Sequence, residues 1–289
     1  MDAYADITGA IGPTVERLAK ASAKSEYGSN PDYYHPSPAR VKEMMTTLKE
    51  TLFPEFFSLG SKLSAYAAGM NLESVGLEIL NHVARTDGSA DAAAVARSFV
   101  DSLPDVKLIL LTDLEATYAA DPAATSIEEI GFCYPGFLAM LHFRIAHELY
   151  KRNVRWLPRI ITELAHSATG IDIHPGAQIG EYFSIDHGTG IVIGETCIIG
   201  HHVKLYQGVT LGAKNIPFGL HGSAAKTRRH PQLGNHVTVY SNATILGPVT
   251  IGDRSVVGGN IWVTRDIPED AKVLQNRPVE ERFIDGSGI

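Results

Sequence analysis

The chain has 289 residues, 44% of them hydrophobic and 20% charged, with a formal net charge of −7. That length allows a large core and two domains, and the negative balance argues against a general nucleic-acid binder. Two cysteines, Cys133 and Cys197, make no disulfide framework or CxxC metal site, and no basic leader or long apolar run points to export or a membrane, so a cytoplasmic setting is expected.

Residues 1–170 read as helical. Pro13 to Lys24 is a first short helix. Ser37-Pro38 offers an N-cap followed by proline at the first helical position, opening a helix that runs to about Leu52. Helical spacing recurs over Leu72–Val83, Ala90–Leu103 and Val106–Tyr118, and Asp121-Pro122 marks a break. Tyr134 to Arg152 is the longest candidate, with Phe137, Leu141, Ile145 and Leu149 on one stripe. Trp156 to Ser167 is another, and Gly170 closes the helical part. Oligomerisation is the simplest role for these helices.

From Ile173 to Pro268 the sequence reads in sixes. Ile173, Ile179, Ile185, Ile191, Cys197, Val203 and Val209 head seven hexads; Leu233, Val239, Ile245, Ile251, Val257 and Val263 head six more. Twelve of these thirteen residues are Ile, Leu or Val, types that make up roughly a quarter of ordinary composition. A period of six fits neither a helix nor a two-faced strand. It predicts a β-solenoid in which three hexads close a triangular coil and the heading residues point inward. Ordinary sandwich strands are the alternative, but they alternate with period two and vary in spacing.

Between the two blocks, Asn215 to Gln232 loses the pattern and reads as an extended loop, with Pro217, Gly219 and Gly222 in it. From Ala213 to His230 there are four basic residues (Lys214, Lys226, Arg228, Arg229), two histidines (His221, His230) and no acid. In an acidic chain that balance suggests an anionic ligand, or else a solvated surface loop. The tail after 270 is short and ends Gly-Ser-Gly-Ile289. The expected organisation is a helical domain over 1–170, a solenoid over 171–270 and a tail over 271–289.

Polar residues on the solenoid carry the candidate chemistry. Asp172 and His187 are 15 positions apart, which can place them near one edge on adjacent coils. An Asp beside a His is the arrangement of a general base, although His187 is also one of 12 scattered histidines. Histidine ligation of a metal is a further reading. His174, His187, His201, His202, His230 and His236 form no H-x-x-x-x-H or H-x-E pair, so no metal is expected.

The run Gly170–Lys214, with its D-I-H-P and D-H-x-T-G-I-V-x-G-E strings, resembles the signature of serine O-acetyltransferases, members of the hexapeptide-repeat acyltransferases. The strings around Asp113–Ala123 and Tyr134–Tyr150 resemble that family's last N-terminal helices. The resemblance implies an α+β chain: an all-helical N-terminal domain followed by a left-handed parallel β-helix. It implies transfer of acetyl from acetyl-CoA to the hydroxyl of L-serine, giving O-acetylserine for cysteine synthesis. By the same resemblance His187 is the catalytic base and Asp172 its orienting partner. Arg229 and His230 hold the serine carboxylate, Asp186 and Asp121 face its ammonium, and Glu195 stands near the site. Gly212, Ala213, Ser241 and Gly259 line the CoA arm. Turns at Tyr240–Ala243 and Val257–Trp262 depart from the small-residue pattern of many relatives. Further implied are a homotrimer with each site between two prisms, or a dimer of trimers, and inhibition by L-cysteine. Binding of O-acetylserine sulfhydrylase through Ile289 is implied too. Another hydroxylated acceptor and a non-catalytic trimeric scaffold are the alternatives.

Overall fold

The computed structural model describes residues 2–23, 36–58, 62–86, 91–214 and 227–275. The middle of the expected loop, with His221 and Lys226, and the tail with Ile289 lie outside the described residues. The chain divides into a unit over Met1–Ser37, which holds helix α1 (Asp2–Ala23), and a second over Pro38–Ile289. Prism and later helices therefore share one compact unit.

The helices of the second unit are α2 (Pro38–Leu52), α3 (Pro54–Phe57), α4 (Ala65–Thr86), α5 (Ala92–Ala120), α6 (Ile127–Cys133), α7 (Pro135–Lys151) and α8 (Leu157–Thr169). α2 begins at the expected proline. The two helical stretches expected either side of Pro104 form the single helix α5. Proline removes one backbone donor there. Phe99 and Leu103 before it and Val106, Leu110 and Leu114 after it are all buried, so packing keeps the helix continuous. The short α3 and α6 escaped the periodic reading, being too brief to show a stripe. α8 ends where Gly170 adopts φ 71° and donates its N–H to His166 O at 2.8 Å, the left-handed stop that favours glycine.

The prism follows. Its first coil holds β1 (Asp172–Ile173), β2 (Gln178–Ile179) and β3 (Ser184–Asp186). The second holds β4 (Val192–Ile193), β5 (Ile198–Ile199) and β6 (Lys204–Tyr206). The third holds β7 (Thr210–Gly212), β8 (Gln232–Leu233) and β9 (Thr238–Val239). The fourth holds β10 (Thr244–Leu246), β11 (Thr250–Ile251) and β12 (Val256–Val257), and a partial fifth holds β13 (Trp262–Val263) and β14 (Lys272–Val273). Three parallel sheets form the faces: β1-β4-β7-β10-β13, then β2-β5-β8-β11, then β3-β6-β9-β12-β14. The result is a left-handed parallel β-helix. All thirteen heading residues are buried, none more than 8% exposed. Each buried Ile, Leu or Val among them contributes about 1.5–3 kcal/mol relative to exposure.

The hexad frame is not continuous. Ile173 pairs with Ile193 and Ile179 with Ile199, offsets of 20 rather than 18. From Ile193 to Leu211 the offset is 18. The first coil therefore carries two extra residues at the turn between β3 and β4. Beyond that turn Ile191, Cys197, Val203 and Val209 remain inside, two places before the ladder residues Ile193, Ile199, Leu205 and Leu211. Apolar residues at both inward slots hid the shift. Thr210 pairs with Thr244, 34 positions on, so the loop adds 16 residues to a coil of 18 and the chain rejoins the prism at β8.

The helices dock on the first coil through a buried ion pair. Arg144 of α7 donates to both Asp113 oxygens at 3.1 Å and to the Ile179 and Gly180 carbonyls; Asp113 also accepts from Phe183 N at 3.0 Å. Burial pushes the Asp113 carboxyl up to about 6 against the pull of Arg144. Close approach does the rest: a Cβ on Gly136 would come within 2.7 Å of the Ile185 carbonyl. That contact brings the start of α7 onto β3.

Candidate active site

One group of candidate residues gathers where β3 turns toward β4. Asp121 follows α5 directly and caps it. Its carboxylate accepts from Ala123 N at 2.8 Å and from the Tyr134 hydroxyl at 2.6 Å. Tyr134 is placed by α6, which it ends, and α7, which it begins. The Tyr134 hydroxyl, then the Ala123 N–H, then Lys204 and His187 hold the Asp121 carboxyl below its usual range. The same bond pushes the Tyr134 phenol up to about 12. Asp121 is thus a fixed carboxylate.

Asp186 ends β3, and Lys204, on the facing coil, reaches over it: Lys204 Nζ lies 2.9 Å from Asp186 Oδ2 and donates to Ala120 O at 2.9 Å. The ammonium sits 4.5 Å from the Tyr206 ring centre, and Tyr206 stacks on Tyr240. Partial burial works against this ammonium, but Asp186 and Tyr206 outweigh it and raise the Lys204 pKa. Asp121, Tyr134, Asp186 and Lys204 line one small crevice with Thr117 and Ser184. Lys204 was not legible in the sequence, because outward hexad positions accept almost any side chain. Tyr134 carried no signal beyond its place before Pro135.

His187 lies within the two-residue enlargement of the first coil, at φ 58°, and 76% of its side chain is exposed. Gly188 follows at φ 91°, where a Cβ would strike Ile171 at 2.5 Å. His187 and Asp172 therefore flank one corner, but no hydrogen bond joins them. The carboxylate in range of His187 is Asp186, whose Oδ1 is 3.7 Å from Nε2. Asp172 accepts from Arg159 Nη1 at 3.3 Å instead. The reason is register: Asp172 pairs with Val192, five residues beyond His187. A spacing of 15 thus leaves the pair on either side of the turn.

A second group occupies the corner between the first and second faces. Arg229 makes a close ion pair with Glu195 Oε2, and the Tyr150 hydroxyl donates to Glu195 Oε1 at 2.9 Å. His230 Nδ1 accepts from Thr196 N at 3.1 Å, so the neutral ring carries its proton on Nε2. Burial first, then Arg229, pushes the His230 pKa down to about 4. A Cβ on Gly194 would lie 2.1 Å from this ring, so only glycine leaves room for it. Thr196 and Tyr150, both unforeseen, hold this group together; Thr196 Oγ1 also accepts from the Arg229 and His230 amides.

The residues expected along the CoA arm fall in two pairs. Ser241 and Gly259 meet on adjacent coils, where a Cβ on Gly259 would lie 2.9 Å from Ser241 O. Gly212 ends β7 and Ala213 follows it at the far side of the first face.

The family described as bacterial transferase hexapeptide (six repeats) matches residues 230–260. The plasmid serine acetyltransferase of Synechococcus elongatus is 41% identical over 89% of this chain and 88% of its own length. The serine acetyltransferase of Mycobacterium tuberculosis is 43% identical over 56% of this chain and 67% of its own. Serine acetyltransferase 1 of Entamoeba histolytica, solved in complex with L-cysteine, superposes with a TM-score of 0.73 at 39% identity, covering 79% of this chain and 85% of that one. Isoform 3 from the same organism, solved in complex with cysteine, gives 0.75 at 30% identity over 94% of each chain.

Proposed function

The chain belongs to the serine acetyltransferases and acetylates the hydroxyl of serine in cysteine synthesis; we propose that acetyl-CoA is the donor, that His187 is the general base, and that each site is shared between two copies. The observation that carries this reading is the crevice in which Asp121 and Asp186 stand beside the exposed ring of His187.

Two carboxylates and one ammonium from Lys204 leave a net negative charge there, suited to the ammonium of an amino acid. Tyr134 keeps Asp121 ionised for that task. Arg229, oriented by Glu195, offers a planar donor pair for the substrate carboxylate, with the His230 Nε2–H beside it. In a single chain these two groups stand at different corners of the prism. A trimer packed prism to prism brings the Arg229 corner of one copy to the His187 corner of the next, the arrangement we infer; two trimers joined through the helices are its larger form.

His187 takes the serine hydroxyl proton as the oxygen attacks the thioester carbon. A backbone N–H at the cleft stabilises the oxyanion. The C–S bond breaks, and protonated His187 returns its proton to the departing CoA sulfur. The exposed ring leaves Asp186 and turns to Asp172, which then fixes its tautomer. Gly212, Ala213, Ser241 and Gly259 line the CoA arm. No metal takes part. L-cysteine, bound in the Entamoeba relative, differs from serine by one atom and competes at the same place. Ile289 docks on O-acetylserine sulfhydrylase. No described helix is long and apolar enough to cross a membrane; a cytoplasmic enzyme fits the reaction.

The test is thiol release from acetyl-CoA with a panel of hydroxylated acceptors. Serine is expected to be turned over fastest, with Arg229→Ala raising its KM at least about tenfold through loss of the charged pair. A faster acceptor lacking a carboxylate would overturn the substrate assignment.

A further inference from the structure

We propose that His201, His202 and His236 form a binding site for zinc or a similar divalent transition metal, on the prism corner between the second and third faces. One ring nitrogen of each lies within 4.8 Å of the others, and all three residues are exposed. His201 Nδ1 and His202 Nδ1 are already 2.9 Å apart. Two imidazole nitrogens on one tetrahedral zinc stand about 3.3 Å apart for bonds of 2.0–2.1 Å. A small opening of that pair and a turn of the third ring therefore seat the ion, with water as the fourth ligand.

The backbone makes the group rigid. His202 and His236 occupy the same left-handed turn position on successive coils, at φ 56° and 57°. His236 N donates to His201 O at 2.9 Å, and His202 N donates to Glu181 O at 3.0 Å. His202 is sandwiched between Tyr182, 4.4 Å away, and His236, 4.7 Å away, while His201 stands edge-on to both histidines. The Tyr182 stack occupies a face of His202 and leaves its in-plane nitrogens free, whereas the His202–His236 stack opens as His236 turns, because one ion cannot lie in the planes of two stacked rings. His201 N also donates to Asn235 Oδ1, and Asn235 N donates to Asp253, which places a carboxylate behind the site.

Sequence spacing concealed this group. His202 and His236 are brought together across the coil that carries the 16 added residues, so no short metal motif appears and none was expected. Two ligands come from the second coil and one from the third, so a bound ion ties the coils together. A second set of possible ligands, Glu163, His166 and Asp172, is already occupied by Arg159, which pairs with both Glu163 and Asp172.

The experiment is calorimetric titration of the untagged full chain with zinc chloride at pH 7.5, paired with thermal melts and with activity measured before metal is added. One zinc per chain and a rise in Tm are expected. His236→Asn should weaken binding at least about tenfold, a ligand mattering no less than its outer-shell partners, and should abolish the Tm rise while metal-free turnover stays unchanged. Three results would each overturn the proposal: no saturable zinc binding by the wild type, unchanged affinity in His236→Asn, or loss of binding in His166→Ala in place of His236→Asn.

Discussion

Lys204 is a side chain whose role only the fold reveals. It ties Asp186 of the prism to Ala120, the residue before Asp121, and so fixes the separation of the two carboxylates proposed to face the substrate ammonium. Lys204→Met is expected to lower kcat/KM for serine at least about tenfold by misplacing them, with Lys204→Arg recovering part. Unchanged steady-state kinetics would reduce Lys204 to a structural tie. Asp186 and His187 stood out as candidates because they belong to a distinctive string, and Arg229 and His230 because they lie in a basic stretch without an acid. That Asp172 pairs with Arg159 and not with His187 was not legible, since a spacing of 15 says nothing of the two residues added at the turn. Asp172→Asn should lower kcat about tenfold or more while leaving KM for serine near its normal value, the mark of a group that acts through His187. Steady-state rates separate that outcome from one in which Asp172 serves Arg159 alone and turnover is untouched.

The prism was readable from its sequence because every coil repeats one physical demand, an apolar residue turned inward each sixth place. The helices were readable as stripes and capping signals. What periodicity could not show was the frame shift at His187, the run of α5 through Pro104 and the docking of helices on coils, all settled by packing between distant segments. Asp113→Ala would leave Arg144 buried without its partner, and a loss of about 3–5 kcal/mol is expected in denaturant unfolding. Histidine burial sets a pH dependence. His142, within α7, and His230 both have folded pKa values near 4 against 6.5 unfolded. The unfolded chain then binds more protons between those values, so stability is complete above pH 6.5 and falls as pH drops toward 4. The loss is on the order of 2–3 kcal/mol per histidine. His142→Leu should flatten its share of that slope in urea melts taken from pH 4 to 7, and an unaltered slope would refute the assignment.

At the scale of the whole molecule, the Arg229 corner and the His187 corner stand apart in one chain, and the proposed trimer would make the assembly part of the active site. Two impaired variants, His187→Ala and Arg229→Ala, assayed with serine well below the KM of Arg229→Ala, should complement when co-expressed, because about a quarter of the sites in random trimers then combine two intact halves. Mixed trimers with no more activity than either parent would place each site within one chain. Removal of Ile289 should abolish binding to O-acetylserine sulfhydrylase while acetyl transfer continues, and unchanged affinity would remove the tail from that role.

The base itself is most directly examined by the turnover of His187→Ala with saturating serine and acetyl-CoA, alongside its oligomeric state and Tm. A fall in kcat of at least about a hundredfold is predicted, with assembly and melting intact because the side chain is largely exposed. Turnover close to that of the unmodified enzyme would contradict the assignment of the base.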